Sequence, residues 1–185
     1  MRTRIAALPD ERAAAEELVR RRYAWRGYRV ALPEERDCAG GRTGEHRVTL
    51  LAEAGDRLLG TLTVGPDGRH GLLAAGTYAE EIDGLRNDGR RLGELTRLAI
   101  EKGVDWKAAL DALVQATWLV TRVVHALTDV LIEVNPRHVP FYQRVFGFEA
   151  IGSGRVCRRV GAPSVLLVLD LEAFGRRLKC SGIAR

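Results

Sequence analysis

Three short stretches hold residue types that could do chemistry. They are Glu94-Leu95-Thr96-Arg97 inside an apolar run, Lys102 and Lys107 around the start of a long helical pattern, and Asn135-Pro136-Arg137-His138 leading to Phe141-Tyr142. A carboxylate can take a proton from an amine, and a guanidinium fork can hold a carboxylate. Cations beside a helix N-terminus favour an anion. In a regular strand Glu94 and Arg97 face opposite sides, because side-chain direction alternates. A Glu–Arg ion pair at a strand end accounts for the same two residues without any chemistry. Tyr142 has a phenolic proton to give, or a core to fill. His138 on the same short segment reads as a surface residue. Cys157 has no adjacent base to make it a nucleophile and reads as an ordinary thiol. No grouping of His, Cys, Asp or Glu has the spacing of a metal site.

The elements that must position these residues follow from periodicity and turn chemistry. Asp10 to about Arg22 reads as a helix capped by Asp10, anchored by Leu18 and Val19. Tyr23 to Gly44 is an irregular connection rich in Gly and charge, placed to act as a lid. Two β-type runs around Ala54-Gly55-Asp56 form a hairpin. Thr77 to Gly89 has helical spacing at Tyr78, Ile82 and Leu85, with Thr77 as its cap, and "RLGELTRLAI" is a strand. Trp106 to Leu127 is the longest helix, its apolar stripe running through Trp106, Leu110, Leu113, Thr117, Val120, Val124 and Leu127. "DVLIEV" is a continuous apolar run, which suits a strand covered on both faces. Asn135 ends that strand and caps a short helix, with Pro136 in its first turn and Gly147 closing it in the left-handed conformation. "FEAIGSG" and "SVLLVLDL" complete the pattern as strands. The reading is one mixed α/β domain over residues 1–185, without internal repeats.

Composition narrows the setting. The 185 residues are 46% hydrophobic, enough for one well-buried domain. No apolar run reaches the roughly 18 residues of a membrane span, and the N-terminus does not read as a secretion signal. Cys38, Cys157 and Cys180 are odd in number and far apart, which fits reduced thiols in the cytoplasm. The net charge of +5 is built from 26 Arg and three Lys, clustered at Arg20-Arg21-Arg22, at Arg155-Arg158-Arg159 and at Arg176-Arg177-Lys179. Basic faces speed encounter with anionic partners. No nucleic-acid-binding motif accompanies the charge, so nucleic acid is not an expected partner.

The stretch "NPRHVPFYQRVFGF" resembles the strand–helix–"FY…GF" element near the C-terminus of GNAT-superfamily acyltransferases, and the element order is similar to theirs along nearly the whole chain. Within that superfamily, "GELTRLAIE", "TDVLIEVNPRHVPFYQRVFGFEAIG" and "CRRVGAPSVLLVLDLE" resemble the N-acyl amino acid synthase branch. That branch is itself related to acyl-homoserine-lactone synthases, where an E-L-[ST]-R strand lines the site. The resemblance implies a mixed, mostly antiparallel central sheet with splayed strands, flanked by helices, and an acyl donor's phosphopantetheine arm in the wedge. It implies a β-bulge in the Glu94 strand, which would turn both Glu94 and Arg97 towards the cleft. Glu94 would then take the amine's proton, Arg97 would hold the acceptor's carboxylate, and the N–H near Leu98 would stabilise the oxyanion. Tyr142 would protonate the departing thiolate, and Asn135 would bond the pantetheine amide.

The donor can be narrowed by what is missing. Acetyl-CoA enzymes of the superfamily carry a [QR]-x-x-G-x-[GA] loop that offers backbone N–H groups to the CoA pyrophosphate. The corresponding stretch, "EKGVDWKAALDAL", lacks the pattern and holds Asp105 where phosphate would approach. Lys102, Lys107 and a helix N-terminus remain, enough for one phosphate. A carrier-protein phosphopantetheine has one phosphodiester, and acyl carrier proteins are acidic, which matches the arginine patches. Ala108, Ala109, Ala112 and Ala116 leave one flank of the long helix small, as a tunnel wall for an acyl chain or as a close packing surface.

The sequence therefore predicts a cytoplasmic N-acyltransferase with no permanently bound cofactor. An acyl-phosphopantetheine donor, on acyl carrier protein or CoA, would give a medium or long acyl chain to the amine of an amino acid or similar small molecule. The alternatives are a CoA-dependent N-acetyltransferase, a lactone-type signal synthase, or a catalytically silent module that binds acyl carrier protein or a fatty ligand.

Overall fold

The computed structural model describes residues 1–25, 27, 47–69 and 71–180. Most of the expected lid between Tyr23 and Gly44, with Cys38, lies outside the described residues. The described chain runs β1 (Arg2–Ile5), α1 (Pro9–Ala24), β2 (Val48–Ala54), β3 (Arg57–Pro66), α2 (Ala75–Asn87), β4 (Leu92–Ile100), α3 (Trp106–Leu119), β5 (Asp129–Val134), α4 (Val139–Phe146), β6 (Glu149–Ala150), β7 (Arg155–Cys157), β8 (Ala162–Asp170) and α5 (Leu171–Cys180). The sheet order is β1-β2-β3-β4-β5-β8-β6, with β7 pairing the start of β8. Every neighbouring pair is antiparallel except β4–β5. The mixed, mostly antiparallel sheet flanked by helices is thus present.

Local chemistry explains most boundaries. Gly55, at φ +58°, makes the β2–β3 turn. Asn135 caps the 3₁₀ turn Pro136–His138 by accepting the Arg137 N–H at 3.2 Å. Gly147, at φ +85°, ends α4 in the left-handed region, as anticipated. Other expectations give way. Leu8 is the N-cap of α1, and it is Glu11, not Asp10, that binds the free Ala7 and Leu8 N–H groups at 2.8 and 2.9 Å. The second helix starts before Thr77, at Ala75, and kinks at Tyr78.

The long helix departs most. Its α-helical part stops at Leu119 and continues as a π-helical turn, Val120–Val124. Thr121 drives its hydroxyl onto the Thr117 carbonyl at 2.8 Å within this stretch. The wider turn slips the apolar stripe. Leu110, Leu113, Thr117, Val120 and Leu127 are buried, whereas Val124 is 66% and Trp106 49% exposed. Three further elements were not anticipated: β1, β7 and α5. Each is short or strongly charged, so its pairing comes from neighbours and not from its own pattern.

The core divides by sheet face. Tyr78 and Ile82 of α2 pack on Leu92, Leu131, Leu166 and Val168. On the opposite face Val130, Ile132, Leu167 and Leu169 meet Phe148, Phe174 and Trp118. Alternation along β5 and β8 thus assigns odd and even positions to different layers.

Candidate active site

The site begins where two strands part. β4 and β5 share only three parallel pairs, Leu92–Asp129, Gly93–Val130 and Glu94–Leu131. Beyond these, β5 stays paired with β8 as far as Val134, while β4 follows β3. Between the pairs Thr63–Thr96 and Thr61–Ala99, β3 has one residue, Leu62, and β4 has two, Arg97 and Leu98. That is a β-bulge, and Arg97 sits in it at φ +55°, an uncommon conformation for a residue with a side chain. The expected splay and the expected bulge are both present, adjacent to each other.

A cavity of about 1060 Å³ fills the wedge and continues on both faces of the sheet. On the α3 side its wall is apolar, with Leu110, Val114, Trp118, Ile132, Phe146 and Phe174. Tyr142 belongs to this wall, edge-on to Phe141 and Phe148 with ring centroids 5.4 and 5.8 Å away. On the α2 side the wall is polar: Glu133, Ser164, Cys157, Arg47, Arg158 and Arg159. The alanine flank of α3 is not part of the lining; Leu110, Val114 and Thr117 one-third of a turn away are.

The polar side is a bonded network. Glu133 accepts the Ser164 hydroxyl at 2.8 Å on one oxygen and Arg159 Nη2 at 2.8 Å on the other. Arg159 Nη2 also lies 3.7 Å from Glu94 Oε1, and Arg47 Nη2 lies 3.9 Å from Glu94 Oε2. Glu94 accepts the Leu73 and Ala74 N–H groups at 2.7 and 3.1 Å. The Tyr78 hydroxyl donates to the Ser164 carbonyl at 2.8 Å, and Arg155 lies over its ring. Burial raises the Glu94 pKa, against the opposing pull of Arg159 and Arg47. Burial also raises the Cys157 thiol, with the Glu133 charge adding to it. Arg159 is held charged by the two carboxylates.

The candidate residues take different places. Arg97 and Leu98 line the cavity, and Arg97 Nη1 lies 3.7 Å from Glu16 of α1. Glu94 does not line it: the residue is completely buried, one layer behind Arg47 and Arg159. Asn135 lines the cavity, its amide donating to the Pro163 carbonyl at 3.2 Å. Lys102 and Lys107 are outside the lining. Asp105 occupies the α3 N-terminus by accepting the Lys107 and Ala108 N–H groups, both at 3.1 Å. Glu133 was missed by sequence reasoning, hidden in "DVLIEV" as one charge in an apolar run. A lone buried-strand carboxylate was its only signal.

The profile of the family described as N-acyl amino acid synthase FeeM matches residues 14–170, from α1 to the end of β8. The chain belongs to this family. It is therefore an acyltransferase of the N-acyl amino acid synthase kind. Among solved structures it is similar to FeeM, an N-acyl amino acid synthase from uncultured soil microbes, at 26% identity and a TM-score of 0.80, covering 94% of this chain and 92% of that one. The fold alone is shared with an acyl-CoA N-acyltransferase from Pseudomonas aeruginosa (14% identity, TM-score 0.58, 91% and 99% covered). It is likewise shared with Escherichia coli ElaA (12% identity, TM-score 0.60, 91% and 99% covered). A sequence search of curated proteins finds no match. Among the described residues no helix is long and apolar enough to cross a membrane, and no group of three or more His, Cys, Asp or Glu is placed to hold a metal.

Proposed function

We propose that this synthase transfers a medium or long acyl chain from the phosphopantetheine arm of acyl carrier protein to the α-amine of an amino acid. The observation that supports this reading is the two-sided cavity. A thioester lying in the wedge would have an apolar chamber for its chain on one side and an arginine- and carboxylate-lined pocket for an amino acid on the other. An acetyl donor needs no such chamber. The bulge at Arg97–Leu98 leaves backbone N–H groups outside the strand ladder at the wedge, where they can bond the oxyanion of the tetrahedral intermediate. Arg97 holds the acceptor's carboxylate, Tyr142 protonates the leaving thiolate, and Asn135 steadies the pantetheine. The α-amine is an ammonium at neutral pH and must lose a proton before attack. Glu133 and Glu16, the latter beside Arg97, are the carboxylates of the lining, and Glu94 lies one layer behind.

The carrier-protein donor rests on α3. Asp105 caps its N-terminus where a pyrophosphate would be cradled, and a carboxylate there repels a second phosphate more strongly than one diester. Lys102 and Lys107 then serve a single phosphodiester, and the arginine patches serve an acidic partner. The reading takes residues 1–185 as one acyltransferase domain, working in the cytoplasm.

The test is mass spectrometry of reactions with purified protein, a long-chain acyl donor on carrier protein or on CoA, and a pool of amino acids. We expect an N-acyl amino acid formed mainly from the carrier-protein donor. Product from CoA thioesters alone would overturn the donor assignment. No product from either donor would overturn the function.

A further inference from the structure

We propose that Glu133 is the catalytic carboxylate, the group that receives the acceptor's ammonium and takes its proton, while Glu94 is a positioning residue behind it. This inference rests on the acyltransferase reading above and deepens it. Both carboxylates lie on the α2 face of the sheet, on either side of the point where β4 and β5 separate. They differ in access. Glu133 is two residues past the last β4–β5 pair, inside the wedge, and its side chain, 2% exposed, lines the cavity. Glu94 belongs to the last pair itself and is sealed from the cavity by the arginines that do line it.

Their bonding points the same way. Glu94 binds two backbone N–H groups of the Leu73–Ala74 turn and faces Arg47 and Arg159, an arrangement that anchors a loop and two side chains. Glu133 accepts Ser164 on one oxygen and Arg159 on the other, with the Cys157 thiol also bonded to the carboxylate; of its roughly four lone-pair sites at least one is left for an ammonium N–H. Arg159 bridges the two carboxylates and fixes Glu133 from one side; Ser164, itself held beside Tyr78, fixes it from the other. The charged and titratable groups around Glu133 are therefore Arg159 and Cys157 from the β7–β8 turn and strand, Glu94 from β4, and Tyr78 from α2. Arg155 lies over Tyr78 and Arg47 against Glu94.

The step balances without another reactant. The ammonium gives one proton to Glu133 and attacks as the free amine. The N–C bond forms as the carbonyl's π pair moves onto oxygen. On collapse the C–S bond breaks and sulfur leaves with its electron pair, taking the Tyr142 proton to give the thiol, while the nitrogen's second proton restores the Tyr142 hydroxyl. Glu133 releases its proton to solvent.

The experiment compares wild type, Glu133→Gln, Glu94→Gln and Ser164→Ala with an amino acid and with methoxyamine, which is already a free base at neutral pH. Glu133→Gln should lose about 100- to 10,000-fold in kcat/KM towards the amino acid and far less towards methoxyamine, with the melting transition retained. Glu94→Gln should lose less and keep the acidic limb of the pH–rate profile. Ser164→Ala removes a donor to the ionised carboxylate, so its limb should move to higher pH, and this arm decides the matter if Glu133→Gln does not fold. Wild-type rates in Glu133→Gln, equal losses with both amines, or an unmoved limb in Ser164→Ala would overturn the inference alone. A wild type that acylates no amine would overturn it together with the function.

Discussion

The two sides of the wedge are built by opposite means. On the α3 side, Trp118, Phe146, Phe148 and Phe174 pack by shape, with ring centroids 5.9 to 6.4 Å apart and no ion pair among them. On the α2 side, the Glu94 and Glu133 side chains are buried carboxylates, tolerable only because the partly exposed Arg47 and Arg159 partner them. Dispersion contacts are individually weak and forgiving of direction, so the apolar side can fit a flexible chain. A buried ionic network holds its atoms in one arrangement, so the polar side can fix an amine against a carbonyl.

Substitutions on the two sides should therefore fail differently. Phe174→Ala removes a core ring beside Trp118 and Phe146 and should cost about 3–5 kcal/mol, equally at every pH, by urea unfolding. It should also move the preferred donor towards longer chains. A pH-dependent loss there would erase the contrast between the sides. Next in size is the pH response of Glu94. Burial raises its pKa in the folded state, so the folded chain keeps this proton to a higher pH than the unfolded chain does. Stability should then fall as pH rises from the ordinary carboxylate value to the raised one, by at most about 1.4 kcal/mol per pH unit for one proton. Glu94→Gln should flatten that fall; an unchanged slope would place its origin elsewhere. Tyr78→Phe is the smallest. It deletes one hydrogen bond to the Ser164 carbonyl, worth roughly 0.5–1.5 kcal/mol. If the network positions Glu133, kcat should fall more than that stability loss explains while KM for the donor stays put.

Legibility in the sequence followed the range of the interaction. Asn135, Pro136 and Gly147 act on neighbours within a few residues, and the turn they predicted is the turn observed. The longest helix was found, but its π-helical end was not, because Thr121 and Leu127 act there through backbone bonds that no stripe reveals. Glu94 stood out because its motif is continuous, and Glu133 did not, because its partners come from β7–β8, up to 31 residues away.

The amino-acid sequence by itself determined the strands other than β1 and β7, most helix positions, the bulge-bearing segment and the family, since each rests on local pattern or on contiguous motifs. The tertiary structure decided which carboxylate meets the cavity and which hides behind arginines, and which flank of α3 faces the chamber. It also showed that the wedge joins an apolar side to a charged one. These are matters of burial and long-range pairing. They depend on where β4 stops pairing with β5, a distance in space that spacing along the chain does not encode.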